Sequence, residues 1–92
     1  MKVHWTNTAL DQLQLIHDYI ACNSLYYAKR MVDRITRRSI QISQFPLSGR
    51  KVPEYDIEQI REVLEGDYRI IYYIKSDGID VLAVFHGSRS MP

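Results

Sequence analysis

The segment that most constrains the fold is the run YRIIYYI at positions 68–74, in which six of seven residues are β-branched or aromatic. Such residues fit a pleated, packed surface, and seven residues suit one strand better than a helix. Side chains alternate along a strand, so Arg69 shares a face with Ile71 and Tyr73, and both faces are largely apolar. A permanently charged guanidinium in that setting must find an anionic partner or reach water. The segment therefore predicts a central strand whose arginine is either functional or ion-paired.

The flanking sequence predicts two amphipathic helices followed by a strand meander. Thr6, Asn7 and Thr8 are candidate helix caps, and Thr8 stands three residues before Asp11 in a variant of the capping box. The predicted elements are a short strand over Met1–Trp5, a helix with the apolar stripe Ala9, Leu13, Ile16 and Ile20, a second helix over Leu25–Gln44 capped by Ser24, a loop over Phe45–Pro53, and strands over Ile60–Glu65, Tyr68–Ile74 and Ile79–His86. Turns at Gly66-Asp67 and Asp77-Gly78 are typical of hairpins.

These elements predict an α+β fold. Two helices with so short a connection pack as an antiparallel hairpin, and their apolar sides must be buried on a sheet. We expect the hairpin to cover one face of a small antiparallel sheet of three to four strands, with the N-terminal strand at an edge. The other sheet face is expected to stay partly open.

Length and composition predict a single intracellular domain over residues 1–92. The chain is 46% apolar and 25% charged, which is ordinary for a globular protein. Its one cysteine, Cys22, cannot form an internal disulfide. No apolar run approaches the ~20 residues that span a bilayer, and Met1-Lys2 leads into no secretory signal. We expect a cytoplasmic protein with no membrane association.

Positive charge is concentrated in the middle of the chain. Between Lys29 and Lys51 seven cations oppose Asp33 alone, so 7 − 1 = +6, which leaves +1 − 6 = −5 for the remainder. Such a segment could face nucleic acid or an acidic protein, or could be a solvated helix face.

Few motifs indicate chemistry. The histidines and Cys22 lack the paired spacing of zinc ligands, and the glycines are isolated, so we expect no metal and no cofactor. A cationic cluster of Arg69, His86 and Arg89 could bind phosphate, or stabilise the charge that develops when a 2′-hydroxyl cleaves a phosphodiester, with His86 moving the proton. Arg61 could join it. Alternatively these arginines form structural ion pairs, with Glu62 or Glu65 as partners for Arg61.

Several short motifs, in order, resemble the RelE/ParE toxins of type II toxin–antitoxin systems. They are Trp5, Ala9, Asp11, Ile16 and Tyr19-Ile20, then Phe45-Pro46 with Gly49-Arg50, Ile60-Arg61-Glu62, Tyr68–Tyr72, and Val84-Phe85-His86-Gly87 with Arg89. The resemblance spans nearly the whole chain and implies a helical hairpin on an antiparallel sheet. It also implies a cognate antitoxin that neutralises the toxin and helps to repress their shared operon, so that operator DNA is contacted through the antitoxin complex.

The resemblance divides into two branches. ParE-like members, associated with plasmid stabilisation, inhibit DNA gyrase by binding it, and for that branch we expect target contacts at Arg50, Arg61, Glu62 and Tyr73. RelE-like members are ribosome-dependent mRNA endoribonucleases, and for that branch Arg69, His86 and Arg89 would be catalytic. This chain has Ile60–Val63 where RelE-like members have lysines, and no tyrosine near its C-terminal end. The ParE-like branch is therefore favoured, and a non-toxic nucleic-acid-binding module is a further alternative.

Overall fold

A computed structural model describes residues 1–88 of the chain. Its elements are strand β1 (Val3–Trp5), helix α1 (Asn7–Ala21), helix α2 (Leu25–Gln44), a 3-10 turn (Pro46–Ser48), and strands β2 (Arg50–Lys51), β3 (Ile60–Glu65), β4 (Tyr68–Ile74) and β5 (Ile79–His86). The predicted α+β architecture is confirmed, because both helices pack on one face of a single sheet. Within residues 1–88 neither helix combines the length and apolar composition that crossing a bilayer requires.

The sheet contains more strands than predicted and is mixed rather than antiparallel. Its order is β1-β5-β4-β3-β2, with β1 parallel to β5 and every other pair antiparallel. The predicted meander of β3, β4 and β5 is confirmed. Its two turns are encoded by short local sequences. In the first of them Gly66 has φ +57°, a conformation that glycine adopts readily. No local turn joins β1 to β5, so their relative direction depends on the tertiary path, and β2 is too short to show a strand pattern.

Side-chain caps define where the helices begin. The Thr6 hydroxyl accepts a hydrogen bond from the Ala9 backbone N–H at 3.2 Å, so Thr6 is the N-cap of α1. The predicted capping box of Thr8 and Asp11 is wrong, because Thr8 already lies inside the first turn. Ser24 caps α2 as predicted, accepting from the Tyr27 N–H at 3.2 Å.

The core lies between the helices and the inner sheet face. It comprises Ala9, Leu13, Ile16, Ile35, Ile42, Val63, Ile70, Tyr72, Ile79, Val81 and Val84. The apolar stripe predicted for the first helix therefore faces the sheet, and the alternation predicted for β4 is confirmed.

Tyr72 links this core to the loop that follows α2. Its buried hydroxyl accepts from the Gly49 N–H at 3.1 Å and donates to the Pro46 carbonyl at 2.5 Å. Burial raises the pKa of Tyr72, which keeps the hydroxyl protonated and able to donate. A Cβ at position 49 would lie 2.6 Å from the Glu62 carbonyl oxygen and would also overlap the Tyr72 hydroxyl. Glycine is needed there for this close approach.

We predict that Tyr72→Phe lowers the free energy of unfolding by about 1–3 kcal/mol, because it leaves the Gly49 N–H and the Pro46 carbonyl without their buried partner. Tyr73→Phe is the matched control on the same strand, where the side chain is exposed, and should change stability by less than about 0.5 kcal/mol. Equilibrium urea unfolding measures both. Equal losses in the two variants would contradict the role assigned to the Tyr72 hydroxyl.

Candidate functional site

The candidate site is the sheet face opposite the helices, here called the outer face. Register places its side chains in rows across the strands: Leu64, Arg69 and Phe85 in one row, Glu62, Ile71 and Ala83 in the next, then Ile60 and Tyr73. The pattern follows from strand alternation, since β3 and β4 send every second side chain to this side. The first two rows each set one charged side chain, Arg69 or Glu62, beside apolar ones, so charge and apolar area share one surface.

Arg69 is the centre of a buried ion-pair network on the outer face. Its Nε donates to Glu62 Oε1 at 2.6 Å, and its Nη1 and Nη2 each donate to one Glu54 carboxylate oxygen at 2.8 Å. The second Glu62 oxygen accepts from Arg50 Nε at 2.6 Å. The Arg69 guanidinium also stacks over the Phe85 ring, 5.3 Å from its centroid.

This network fixes the charge and orientation of the guanidinium. Glu62 is only 1% exposed and Arg69 7%, so the pair is shielded from water. Hydrogen bonds to Glu54, followed by those to Glu62, raise the pKa of Arg69 despite the opposing effect of burial. Every nitrogen of the guanidinium donates to a carboxylate of its own chain. The sequence left two possibilities for Arg69, a cationic cluster and structural ion pairs, and in the structure Arg69 forms ion pairs.

The predicted convergence of Arg69 with His86 is wrong. Arg69 pairs with Phe85 across the strands, whereas His86 pairs with Tyr68 and faces the helix side of the sheet. The His86 ring makes an edge contact with Tyr68 at 5.7 Å between centroids. Its Nδ1 lies 2.7 Å from Ser88 Oγ. A shift of one residue in register moves a side chain to the other face, so a hairpin whose register is unknown cannot specify this pairing.

Arg89, the third member of the predicted cluster, lies outside the described residues. Its catalytic role, like that of Arg69 and His86 in a nuclease, stays a prediction.

Arg61 points to the helix side and contacts the chain on both sides of β2. Its Nη1 donates to the Gly49 carbonyl at 2.9 Å, and its Nη2 donates to Glu58 Oε1 at 2.5 Å. The expected pairing of Arg61 with Glu62 or Glu65 is wrong, because Glu62 faces the opposite side and Glu65 is occupied by α2.

The four predicted target-binding residues differ in accessibility. Tyr73 is 39% exposed on the outer face, and the Arg50 side chain is 61% exposed although it donates to Glu62. The Arg61 side chain is only 13% exposed, and Glu62 is buried. Tyr73 and Arg50 can therefore touch a second molecule directly, while Arg61 and Glu62 position their surroundings.

Most of the basic segment is neutralised within the chain. Arg34 and Arg38 both donate to the buried Glu65, with N–O distances of 2.7 and 3.0 Å. Arg37 pairs with Asp33, Arg50 with Glu62, and Lys51 with Asp56. Sequence reasoning missed Glu54 as a partner of Arg69, and Glu65 as a partner of the α2 arginines, since carboxylates on loops and strand ends carry no periodic signal. In the part of the chain described, His, Cys, Asp and Glu form no group of three that could hold a metal ion.

A second surface lies on the helical hairpin. Large apolar and aromatic side chains stand exposed along α1 and at the start of α2, and we call them the hairpin patch: Leu15, Tyr19, Leu25, Tyr26 and Tyr27. The rings of Tyr26 and Tyr27 meet edge to face at 5.3 Å, and Arg30 stacks over Tyr26 at 5.8 Å. Large exposed apolar side chains that are close together in a helical hairpin indicate an interaction surface.

We predict that Arg69→Met lowers the free energy of unfolding by about 3 kcal/mol, because it leaves the buried Glu62 with only one of its two cationic partners. Arg37→Met is the control: it breaks an exposed helical pair with Asp33 and should cost about 0.5 kcal/mol or less. Chemical denaturation at pH 7 tests both. Arg69→Met with wild-type stability would show that the network does not need this guanidinium.

The sequence and the fold of this chain have counterparts among known proteins. The family model described as ParE toxin of type II toxin-antitoxin system, parDE, matches residues 3–91. A protein of Sinorhizobium fredii named "Putative toxin Y4kP" is 32% identical over 93 residues, which covers 99% of this chain and 93% of that protein.

Solved structures share the architecture at lower identity. The chromosomal ParDE TA system from P. aeruginosa matches with a TM-score of 0.76 and 20% identity, covering 94% of this chain and 95% of that chain. The toxin-antitoxin complex RelBE2 from Mycobacterium tuberculosis matches with a TM-score of 0.69 and 20% identity over 92% and 95% of the two chains. The YoeB/ParE toxin from Agrobacterium tumefaciens matches at 0.65 and 16% identity over 94% and 98%. At these identities the structures show a common fold. The family model, which spans nearly all of the sequence, shows that this chain belongs to the ParE toxins of type II toxin–antitoxin systems.

Proposed function

We propose that this toxin arrests growth in the cytoplasm by binding and inhibiting DNA gyrase, without catalysis. The observation that carries the proposal is the position of Arg69 in a chain of the ParE family. A nuclease needs that guanidinium aimed at the phosphate whose charge develops during cleavage. Here the guanidinium is shielded and its nitrogens donate to Glu62 and Glu54.

The outer face supplies the proposed contact with the target. Tyr73 and Leu64 are exposed there, and the exposed guanidinium of Arg50 lies at the β2 edge. Aromatic and arginine side chains dominate the binding energy of many protein interfaces. Glu62 and Arg61 act on this surface indirectly. Glu62 orients Arg50 by accepting its hydrogen bond, and Arg61, on the helix side of the sheet, donates to the Gly49 carbonyl just before β2.

Cleavage of mRNA on the ribosome is the competing proposal, because the RelBE2 and YoeB/ParE toxins have the same fold. It requires Glu54 to leave Arg69 and His86 to act from the other side of the sheet. A nucleic-acid-binding module without toxicity has less support, since five cations of the basic segment pair with carboxylates of the chain. Contact with operator DNA is accordingly proposed only through the antitoxin complex.

We predict that the purified protein inhibits gyrase supercoiling and that Tyr73→Ala raises the inhibitory concentration at least about tenfold, as loss of an aromatic anchor does at many interfaces. Ile40→Ala is the matched control, because Ile40 is an exposed apolar side chain on α2, away from the outer face. Supercoiling gels with relaxed plasmid measure both. Normal supercoiling at large molar excess of toxin, together with mRNA cut in translating ribosomes, would select the nuclease instead.

We further propose that a cognate antitoxin covers the hairpin patch. The similar structures include a ParDE system and a RelBE2 toxin-antitoxin complex, so a protein partner is the occupant with the most support. Leu15 and Tyr19 are 68% and 77% exposed and lie one turn apart on α1, which suits an amphipathic helix laid against them. Covering such side chains stabilises the folded toxin by mass action.

We predict that the double variant Leu15→Ser/Tyr19→Ser binds the antitoxin at least about tenfold more weakly, because two exposed apolar anchors are lost. Its toxicity should persist during co-expression with the adjacent small open reading frame, and its own stability should change little. Ile40→Ser is the control on the other helix. Calorimetric titration and growth after induction are the measurements, and wild-type neutralisation of the double variant would move the antitoxin to another surface.

A further inference from the structure

We propose that the outer edge of the Arg69 guanidinium is a carboxylate-binding site, which Glu54 occupies in the free protein and which an acidic side chain of a protein partner takes in exchange. The site is built on two sides. Glu62 holds the Nε edge at 2.6 Å, and the central carbon of the guanidinium lies over the Phe85 ring, 5.3 Å from its centroid. The remaining edge, Nη1 and Nη2, presents two parallel N–H donors, the fork that a carboxylate binds with both oxygens.

Glu54 is the exchangeable member of this network. The Glu54 side chain is 34% exposed, whereas that of Glu62 is fully buried. Glu62 lies in the middle of β3 with strands on both sides, while Glu54 lies on the connection between β2 and β3, outside any helix or strand. Displacing Glu54 therefore leaves the sheet and the buried pair intact.

The charge that remains suits one carboxylate. With Glu54 displaced, Arg69 and Arg50 contribute two positive charges and Glu62 one negative charge, so 2 − 1 = +1. Asp56 and Glu58 of the same connection offset the charge of Lys51, at 3.3 and 3.9 Å, so a polyanionic strand gains no further attraction from that lysine. A protein carboxylate therefore fits this site better than nucleic acid does.

The surroundings also fit a peptide. Leu64 stands directly opposite Arg69 in the register and is exposed, and Tyr73 is exposed on the same face four positions along β4. A partner segment with an acidic residue beside an apolar one would meet both features. This site goes beyond the proposed function: it concerns how Arg69 binds an anion and holds whether gyrase or the ribosome is the target.

The test measures binding of acetate, the simplest carboxylate, to the folded protein. We expect Glu54→Ala, labelled with nitrogen-15, to show a saturable shift of the Arg69 Nε–Hε resonance on titration with sodium acetate at constant ionic strength against sodium chloride. Wild type should require at least tenfold more acetate, because its own carboxylate competes. Glu58→Ala is the matched control, since it removes a carboxylate of the same connection that pairs with Arg61 instead, and it should behave as wild type.

Three results would overturn the proposal. One is a folded Glu54→Ala protein whose Arg69 resonance does not saturate with acetate, and another is equal acetate binding by the Glu58→Ala and Glu54→Ala proteins. The third is binding of dimethyl phosphate, a phosphodiester monoanion, at least as tight as that of acetate, which would assign the site to a nucleic-acid backbone. If Glu54→Ala does not fold, Glu54→Gln serves in its place. It removes the charge, keeps one acceptor and should bind acetate more tightly than wild type; no gain over wild type overturns the proposal.

Discussion

The outer face depends on one buried carboxylate, that of Glu62. It accepts from Arg69 on β4 and from Arg50 on β2, so it joins three neighbouring strands at the level of their side chains. Burying a carboxylate is costly, and the attraction of a paired charge often only offsets that cost. The network is therefore better understood as a device for orientation: it holds two guanidinium groups in fixed positions where the backbone alone would leave long, flexible side chains.

Strand β3 repeats this device on its other face. Glu65 is nearly buried and accepts from Arg34 and Arg38 of α2, which attaches the helix to the sheet by charge as well as by apolar packing. Because Glu62 and Glu65 are three positions apart on a strand, they necessarily point to opposite faces. One short strand thus supplies a carboxylate to each side of the sheet. Three arginines of the positive segment, Arg34, Arg38 and Arg50, bind these two carboxylates and so connect α2 and β2 to β3.

Local signals in the sequence were sufficient for the helices and the meander. The Ser24 cap, the turn glycines and the apolar periods place element boundaries within a few residues, because each acts over one turn or one hairpin. The partner of Arg69 could not be found in this way. The facing of His86 depends on register, which an irregularity between Ile71 and Tyr72 alters, and Glu54 reaches Arg69 from a loop fifteen positions earlier. The parallel pairing of β1 is likewise a property of the whole chain path.

Whether such a toxin binds or cleaves its target reduces, at the outer face, to competition for one edge of Arg69. A carboxylate on the same chain competes at an effective concentration on the order of millimolar or more, and no second molecule need be captured. A single phosphate of an RNA must outcompete that carboxylate, and it gains little from Lys51, whose charge Asp56 and Glu58 offset. A folded partner that brings a carboxylate together with apolar contacts to Leu64 and Tyr73 gains additional binding energy that Glu54 cannot match. The charge arrangement of the free chain therefore favours recognition of a protein surface over chemistry on a phosphodiester.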